Sequence, residues 1–281
     1  MKKIIEIRES VKRVQPLIHC ITNPISMNQC ANAILAVGAR PIMAEHPKEV
    51  CEITETADAL MLNTGTISDV RMESMHLSAK VAERMHIPVL LDAVGVACTS
   101  LRRSYVMQML AETKVTVLKG NYSEIMALYD DTYHCVGVDA HCGTDIHMAE
   151  SAAAALADKY QMVVLASGKT DLITDGRRIV HMNNGVAQLA ALTGTGCMLG
   201  ALTATYLSST ARAKKNACES NMGAVDAAMC ACAVLGISGE LAETDQGNGS
   251  FFVGLLDQIS TLTDVQIAHA LKKTEHIRKE E

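Results

Sequence analysis

A single cysteine stands among three glycines in LTGTGCMLGA, Leu192 to Ala201, directly before an apolar run of helix formers. Glycines let the backbone turn tightly and approach a ligand closely, and the first amides of a helix have no acceptor within it. Gly194, Thr195, Gly196 and Cys197 are therefore expected to form an anion hole, their N–H groups and the helix dipole directed at a phosphate. The same positive helix end favours the thiolate of Cys197, which makes it a better proton acceptor than a free thiol. Two plainer readings stand beside these: a glycine-softened helix start packed near another helix, and a buried cysteine acting as a small hydrophobe.

Glycines at 194, 196 and 200 come close to GxGxxG but span one residue too many, and they lie late in the chain. A dinucleotide loop opens the first strand–helix unit, so a Rossmann oxidoreductase is disfavoured. The phosphate loop GxxxxGK[ST] is absent as well. Of the ten cysteines, Cys230 and Cys232 point to different faces of a helix and read as core. His134, Cys135, His141 and Cys142 repeat as HC around GVDA, but the spacing matches no zinc pattern.

What must position the thiol is a chain that alternates short apolar strands with helices. PLIHCITN, RPIMA, ALMLNTG, IPVLLDAVG, VTVLKGN and QMVVLAS read as strands, each separated from the next by a helical pattern, and KTDLITDG with RRIVHMNNG adds a hairpin. From Thr195 onward the pattern is nearly all helix, closing with DVQIAHALKKTEHIRKEE. Such alternation predicts an α/β fold: a central, largely parallel sheet covered on both faces, with a helical C-terminal tail. In such sheets the ligand sits beyond the carboxyl ends of the strands. Those ends carry Asn23, Met43, Asn63 to Thr66, Asp92, Lys119 to Asn121, and Ser167 with Gly168. Each alone has a structural reading as turn, cap or core; their convergence on one sheet edge favours function.

Composition narrows the classes further. The chain has 281 residues, 49% of them hydrophobic, and only five prolines, with no linker, so residues 1–281 are expected to form one domain. No Trp, two Phe and a net charge of −6 count against a nucleic-acid binder. MKKIIEIRESVKRVQ reads as an amphipathic first helix rather than a signal peptide, and the apolar run from Ala227 is too short to span a bilayer. A cytoplasmic protein without membrane or nucleic-acid partners is expected.

TGTGC at a late helix start, NYSE after the LKG strand and GNGSF before a late helix together resemble the ribokinase-like small-molecule kinases. Within that group PLIHCITNPISMNQCANAILAVGARPIMA, LMLNTGT, LLDAVG and LTGTGCML are similar, in the same order, to the hydroxyethylthiazole kinase family. Most ribokinase-like kinases place Asp where this chain has Cys197. The resemblance implies a three-layer αβα fold and ATP-dependent phosphorylation of the primary hydroxyl of 4-methyl-5-(2-hydroxyethyl)thiazole for thiamine salvage, with Mg²⁺. It implies Cys197 as the base, and Gly194 as both anion hole and substrate contact. Met43, Asn23 and Gly65 would line the thiazole pocket, and Lys119 and Ser167 would contact ATP. Asp92, Glu124 and Asn121 would serve the Mg²⁺ and phosphate region. It further implies a homotrimer with active sites at subunit boundaries. Three positions depart from the usual pattern: Lys119 replaces Arg, Ser167 replaces Thr, and Ala93 makes DAVG of DPVG. Lysine keeps the charge but loses the bidentate fork. Related kinases acting on hydroxymethylpyrimidine or pyridoxal, and a catalytically silent thiazole- or nucleotide-binding regulator, are the alternatives.

Overall fold

The strand segments are apolar on both sides because both sides are covered. The computed structural model of the protein describes residues 1–133, 145–213 and 222–278. The His134, Cys135, His141 and Cys142 grouping lies outside the described residues.

Six parallel strands, β1 (Leu17–Ile21), β2 (Arg40–Ile42), β3 (Ala59–Asn63), β4 (Val89–Asp92), β5 (Val117–Asn121) and β6 (Val163–Ser167), continue into the antiparallel β7 (Asp171–Thr174), β8 (Arg178–Met182) and β9 (Lys273–Ile277). Their order is β2-β1-β3-β4-β5-β6-β7-β8-β9. Side chains alternate between faces along each strand. Val89 and Leu91 join one core with α4 (Asp69–Met85), α5 (Ser100–Glu112), α6 (Tyr122–Tyr129) and α7 (Ile146–Tyr160), whereas Leu90 and Met61 join the other. The second core is closed by α1 (Lys2–Val14), α2 (Met27–Ala36), α9 (Thr195–Ala213), α10 (Met222–Ala242), α11 (Asn248–Thr261) and α12 (Asp264–Ala270). The short helices α3 (Val50–Thr56) and α8 (Ala187–Ala190) fill connections. The result is the three-layer αβα arrangement, each buried Leu, Ile or Met contributing about 1.5–3 kcal/mol.

Local signals start and stop these helices where the layers need them. Ser68 accepts the Arg71 N–H to cap α4, which ends at left-handed His86 (φ 57°). Asn121 and Glu124 close a capping box at α6.

The tail departs from the helical reading at its end. Helix α12 stops at Ala270, and Lys273–Ile277 pairs antiparallel with β8. The open backbone edge of β8, with the Arg178 Nε–Glu275 contact of 2.6 Å across it, supplies partners that a terminal helical turn would lack. Helix α10 also differs from the expectation of a run too short for a bilayer: Gly223–Ala242 is long and apolar enough by length and composition. It is 89% buried against its neighbours, so among the described residues it is a core helix.

Candidate active site

The chain runs from β1 out to β2 and then back past β1 to β3, so the strand order reverses between β1 and β3. A crevice at the carboxyl ends results from such a reversal. Asn23 follows β1 there, Asn63 ends β3, Asp92 ends β4, and Asn121 pairs in register with Ser167 at the ends of β5 and β6. Helix α9 lies against β1, β3 and β4 and brings its first turn over these ends.

Gly194 turns the chain into that helix at φ 90°, a conformation costly for residues with a side chain. The first helical bond runs from Met198 N–H to Gly194 O at 2.8 Å, so the amides of Thr195, Gly196 and Cys197 precede it. The Thr195 hydroxyl donates back to Leu189 O (2.8 Å), so its backbone N–H is the donor left for an anion. Gly196 is exposed and Cys197 buried.

Cys197 Sγ receives two amide N–H groups, from Asn23 Nδ2 at 3.4 Å and Asn63 Nδ2 at 3.3 Å. Asn63 Nδ2 also donates to Asp92 Oδ2 at 3.0 Å, and Asn63 Oδ1 accepts from Asn23 Nδ2 (3.1 Å) and from the Gly65 N–H (2.8 Å). Asn23 Oδ1 accepts the Ser26 N–H at 3.1 Å. Gly65 fits between the two asparagines because it has no Cβ: one there would lie 2.9 Å from both Asn23 Nδ2 and Asn63 Oδ1.

Beneath the helix start lies a hidden ion pair. Lys119 Nζ is 3.0 Å from Asp92 Oδ1 and 3.3 Å from Oδ2, and 3.2 Å from where a Cβ of Gly196 would be. Burial works against the charge of Lys119, but Asp92, with Cys197 and Glu124, outweighs it and holds the ammonium above the usual lysine range. Burial likewise pushes the Asp92 carboxyl up, against the pull of Lys119 and Asn63. The ammonium is offset by Asp92 but lies directly under the helix N-terminus, whose first amides carry the positive end of the helix dipole.

Glu124 is buried, and its carboxylate caps two backbone amides: Gly95 N–H at 2.7 Å and Asn121 N–H at 2.6 Å. Burial raises its pKa to about 7, opposed by Lys119 and by those two amides. Asn121 Oδ1 accepts the Glu124 N–H at 2.8 Å. Asp92, Glu124 and Asn121 all hold protein partners, and among the described residues no three His, Cys, Asp or Glu side chains converge. Mg²⁺ usually keeps several waters and takes only one or two carboxylates, so these residues would meet it singly or through water rather than as a closed cage.

Of the residues read from the sequence, Cys197, Asn23, Gly65, Gly194, Asp92 and Lys119 meet in one hydrogen-bonded or close-packed cluster. Met43, half-buried after β2, packs on the α9-side core, and Ser167 donates to Gly120 O at 3.3 Å beside Asn121. Asn63, which joins Asp92 to Cys197, had no role assigned from the sequence. Its signals were its place at the end of an apolar strand and within LMLNTGT.

A model of the Hydroxyethylthiazole kinase family matches residues 8–265. The chain is 41% identical over 268 residues to "Hydroxyethylthiazole kinase 2" of Clostridium botulinum strain Hall, covering 92% of this chain and 95% of the relative. It is 38% identical to "Hydroxyethylthiazole kinase" of Thermoanaerobacter pseudethanolicus, covering 98% of this chain and all of that one. The solved hydroxyethylthiazole kinase structure from Pyrococcus horikoshii OT3 superposes with a TM-score of 0.85 at 33% identity, over 98% of this chain and 100% of that chain. A pyridoxal kinase from Staphylococcus aureus with AMP-PCP and pyridoxal shares the fold alone, with a TM-score of 0.57 at 15% identity over 93% of this chain and 98% of that one. With a family model spanning most of its length and relatives this similar, the chain belongs to the hydroxyethylthiazole kinase family.

Proposed function

We propose that the protein transfers the γ-phosphoryl group of ATP to the primary hydroxyl of 4-methyl-5-(2-hydroxyethyl)thiazole, giving the thiazole phosphate used in thiamine salvage. The observation that carries this reading is the position of Cys197 at the start of α9, beside the amides of Thr195 and Gly196 and above the Lys119 ammonium. A proton acceptor next to an anion hole is what an alcohol kinase needs. Phosphoryl transfer has a loose transition state, so positioning and charge neutralisation supply most of the acceleration.

In this reading the substrate hydroxyl faces Cys197. Its proton passes to the sulfur as its oxygen bonds to the γ-phosphorus and the bond to ADP breaks. The Thr195, Gly196 and Cys197 amides hold the transferring group. Asn23, Met43, Gly65 and Gly194 border the thiazole ring. Lys119 acts on the phosphates from beneath Gly196, and Ser167 meets the nucleotide at the end of β6. Mg²⁺ belongs to the proposal as a companion of ATP that would neutralise phosphate charge, with Asp92, Glu124 and Asn121 orienting it directly or through water.

The same reading places the enzyme in the cytoplasm as one kinase domain, assembled as a homotrimer with sites at subunit boundaries. Ile25, two residues past Asn23, is 62% exposed, an apolar side chain beside the site that a neighbouring copy would cover.

A panel of alcohols with ATP and Mg²⁺, read as phosphorylated product, tests the assignment. Hydroxyethylthiazole is expected to give the highest kcat/KM. A higher value for pyridoxal or hydroxymethylpyrimidine would reassign the substrate, and binding without product would leave a silent binder.

A further inference from the structure

We propose that Asn63 is a positioning residue for Cys197, aiming the outward side of its sulfur at the substrate hydroxyl. The inference rests on the reading of Cys197 as proton acceptor.

The orientation of the Asn63 amide is dictated by chemistry. A backbone N–H only donates, so the group 2.8 Å from the Gly65 nitrogen is the Asn63 oxygen. The other end is then the NH₂ group, which lies 3.0 Å from Asp92 Oδ2 and 3.3 Å from Cys197 Sγ. Two donors and two acceptor positions are all used, on a side chain with no exposed surface. Asn63 therefore has one rotamer and one flip state. Asn23, itself fixed by the Ser26 N–H, donates to the same sulfur from a second direction.

A thiol sulfur has two lone pairs and one S–H. With two N–H groups on its protein side, the remaining direction, bearing either the proton or the third lone pair of the thiolate, faces away from them. That is the side on which a hydroxyl must arrive. Asp92 lies at the far end of the same amide, so the buried ion pair is the anchor that keeps the donor aimed.

The test compares the parent with Asn63→Ala, Asn63→Asp, Cys197→Ala and Asn63→Ala/Cys197→Ala, measuring kcat, KM for thiazole and ATP, and thermal midpoint. Asn63→Asp is isosteric and keeps the acceptor for Gly65 and Asn23, but turns the donor into a carboxylate oxygen facing Asp92 and the sulfur, so it opposes both contacts without opening a cavity. Each Asn63 variant is expected to lose about tenfold or more in kcat, the equivalent of one hydrogen bond, with KM for ATP within about twofold. In the Cys197→Ala background the Asn63→Ala change is expected to cost nothing further in kcat. An equal loss in both backgrounds, or Asn63 variants as fast as the parent while Cys197→Ala is slow, overturns the positioning role alone. Cys197→Ala as fast as the parent overturns the proton-acceptor reading itself.

Discussion

Lys119 and Asp92 form an almost wholly buried ion pair at 3.0 Å, their side chains 5% and 0% exposed. A buried pair is worth little relative to an apolar replacement of both partners, but removing one leaves the other charge uncompensated. Lys119→Met keeps the volume and strands Asp92. A loss of about 3–5 kcal/mol is expected in urea unfolding, together with weaker ATP binding. A loss below about 1 kcal/mol, the range of exposed pairs, would mean that the pair is solvated in solution.

Cys197 separates chemistry from scaffold. Cys197→Ala keeps the backbone amides at the start of α9, so fold and ATP binding are expected to survive while the rate falls by roughly 10²–10⁴, as for a missing general base. Cys197→Asp is expected to remain active. Free thiols titrate near about 8.5 and aspartates near about 3.9, so the Asp variant should lose less rate between pH 9 and pH 6. Both N–H groups from Asn23 and Asn63 suit a carboxylate equally well. Parallel pH profiles for parent and Asp variant would contradict this.

Gly65→Ala probes the same cluster from the loop. The new methyl would sit 2.9 Å from both asparagine side chains and must push them off the sulfur. A loss of about tenfold or more in kcat is expected, the size of one lost hydrogen bond. Since the clash lies at the thiazole end, KM for the thiazole should rise and KM for ATP should not. Unchanged thiazole kinetics would show that the two amides relax at no cost.

Glu124 sets a pH dependence of stability. Its pKa is raised by burial from 4.5 to about 7, so between these values the folded protein binds more protons than the unfolded chain. The contribution is therefore fully present below pH 4.5 and lost as pH rises through about 7, with a ceiling on the order of 3 kcal/mol. Glu124→Gln removes this slope at the expense of one amide bond. Its thermal midpoint relative to the parent should rise between pH 5 and pH 8. A difference that stays flat or falls over that range would refute the assignment.

Much of this was readable along the chain because it is local. Strand and helix alternation reflects which side chains repeat with period two or near 3.6. The Asn121–Glu124 capping box and the Gly194 turn are decided within a few residues, as is the exposure of the first amides of α9. Cys197 at the head of that helix already specified a thiol beside amides without a helical acceptor. The strand ends also announced at which edge the polar residues would gather.

What only the tertiary structure decided is who pairs with whom across that edge. Asn23, Asn63 and Cys197 are separated by 40 and 134 positions along the chain, and nothing in any one segment states that two amides converge on one sulfur. The resemblance implies Lys119 as an ATP contact, and only packing shows that its ammonium also sits on Asp92, because a buried charge must find a partner. Glu124, a Mg²⁺-side carboxylate by resemblance, also accepts the Gly95 N–H, from a loop 29 positions away, which no local pattern announces. The tail shows the same limit: Lys273–Ile277 follows helical periodicity in isolation, and the unpaired edge of β8, nearly a hundred residues upstream in the sheet, makes it a strand. Long-range hydrogen bonds outvote local propensity wherever a buried or edge group would otherwise go unsatisfied.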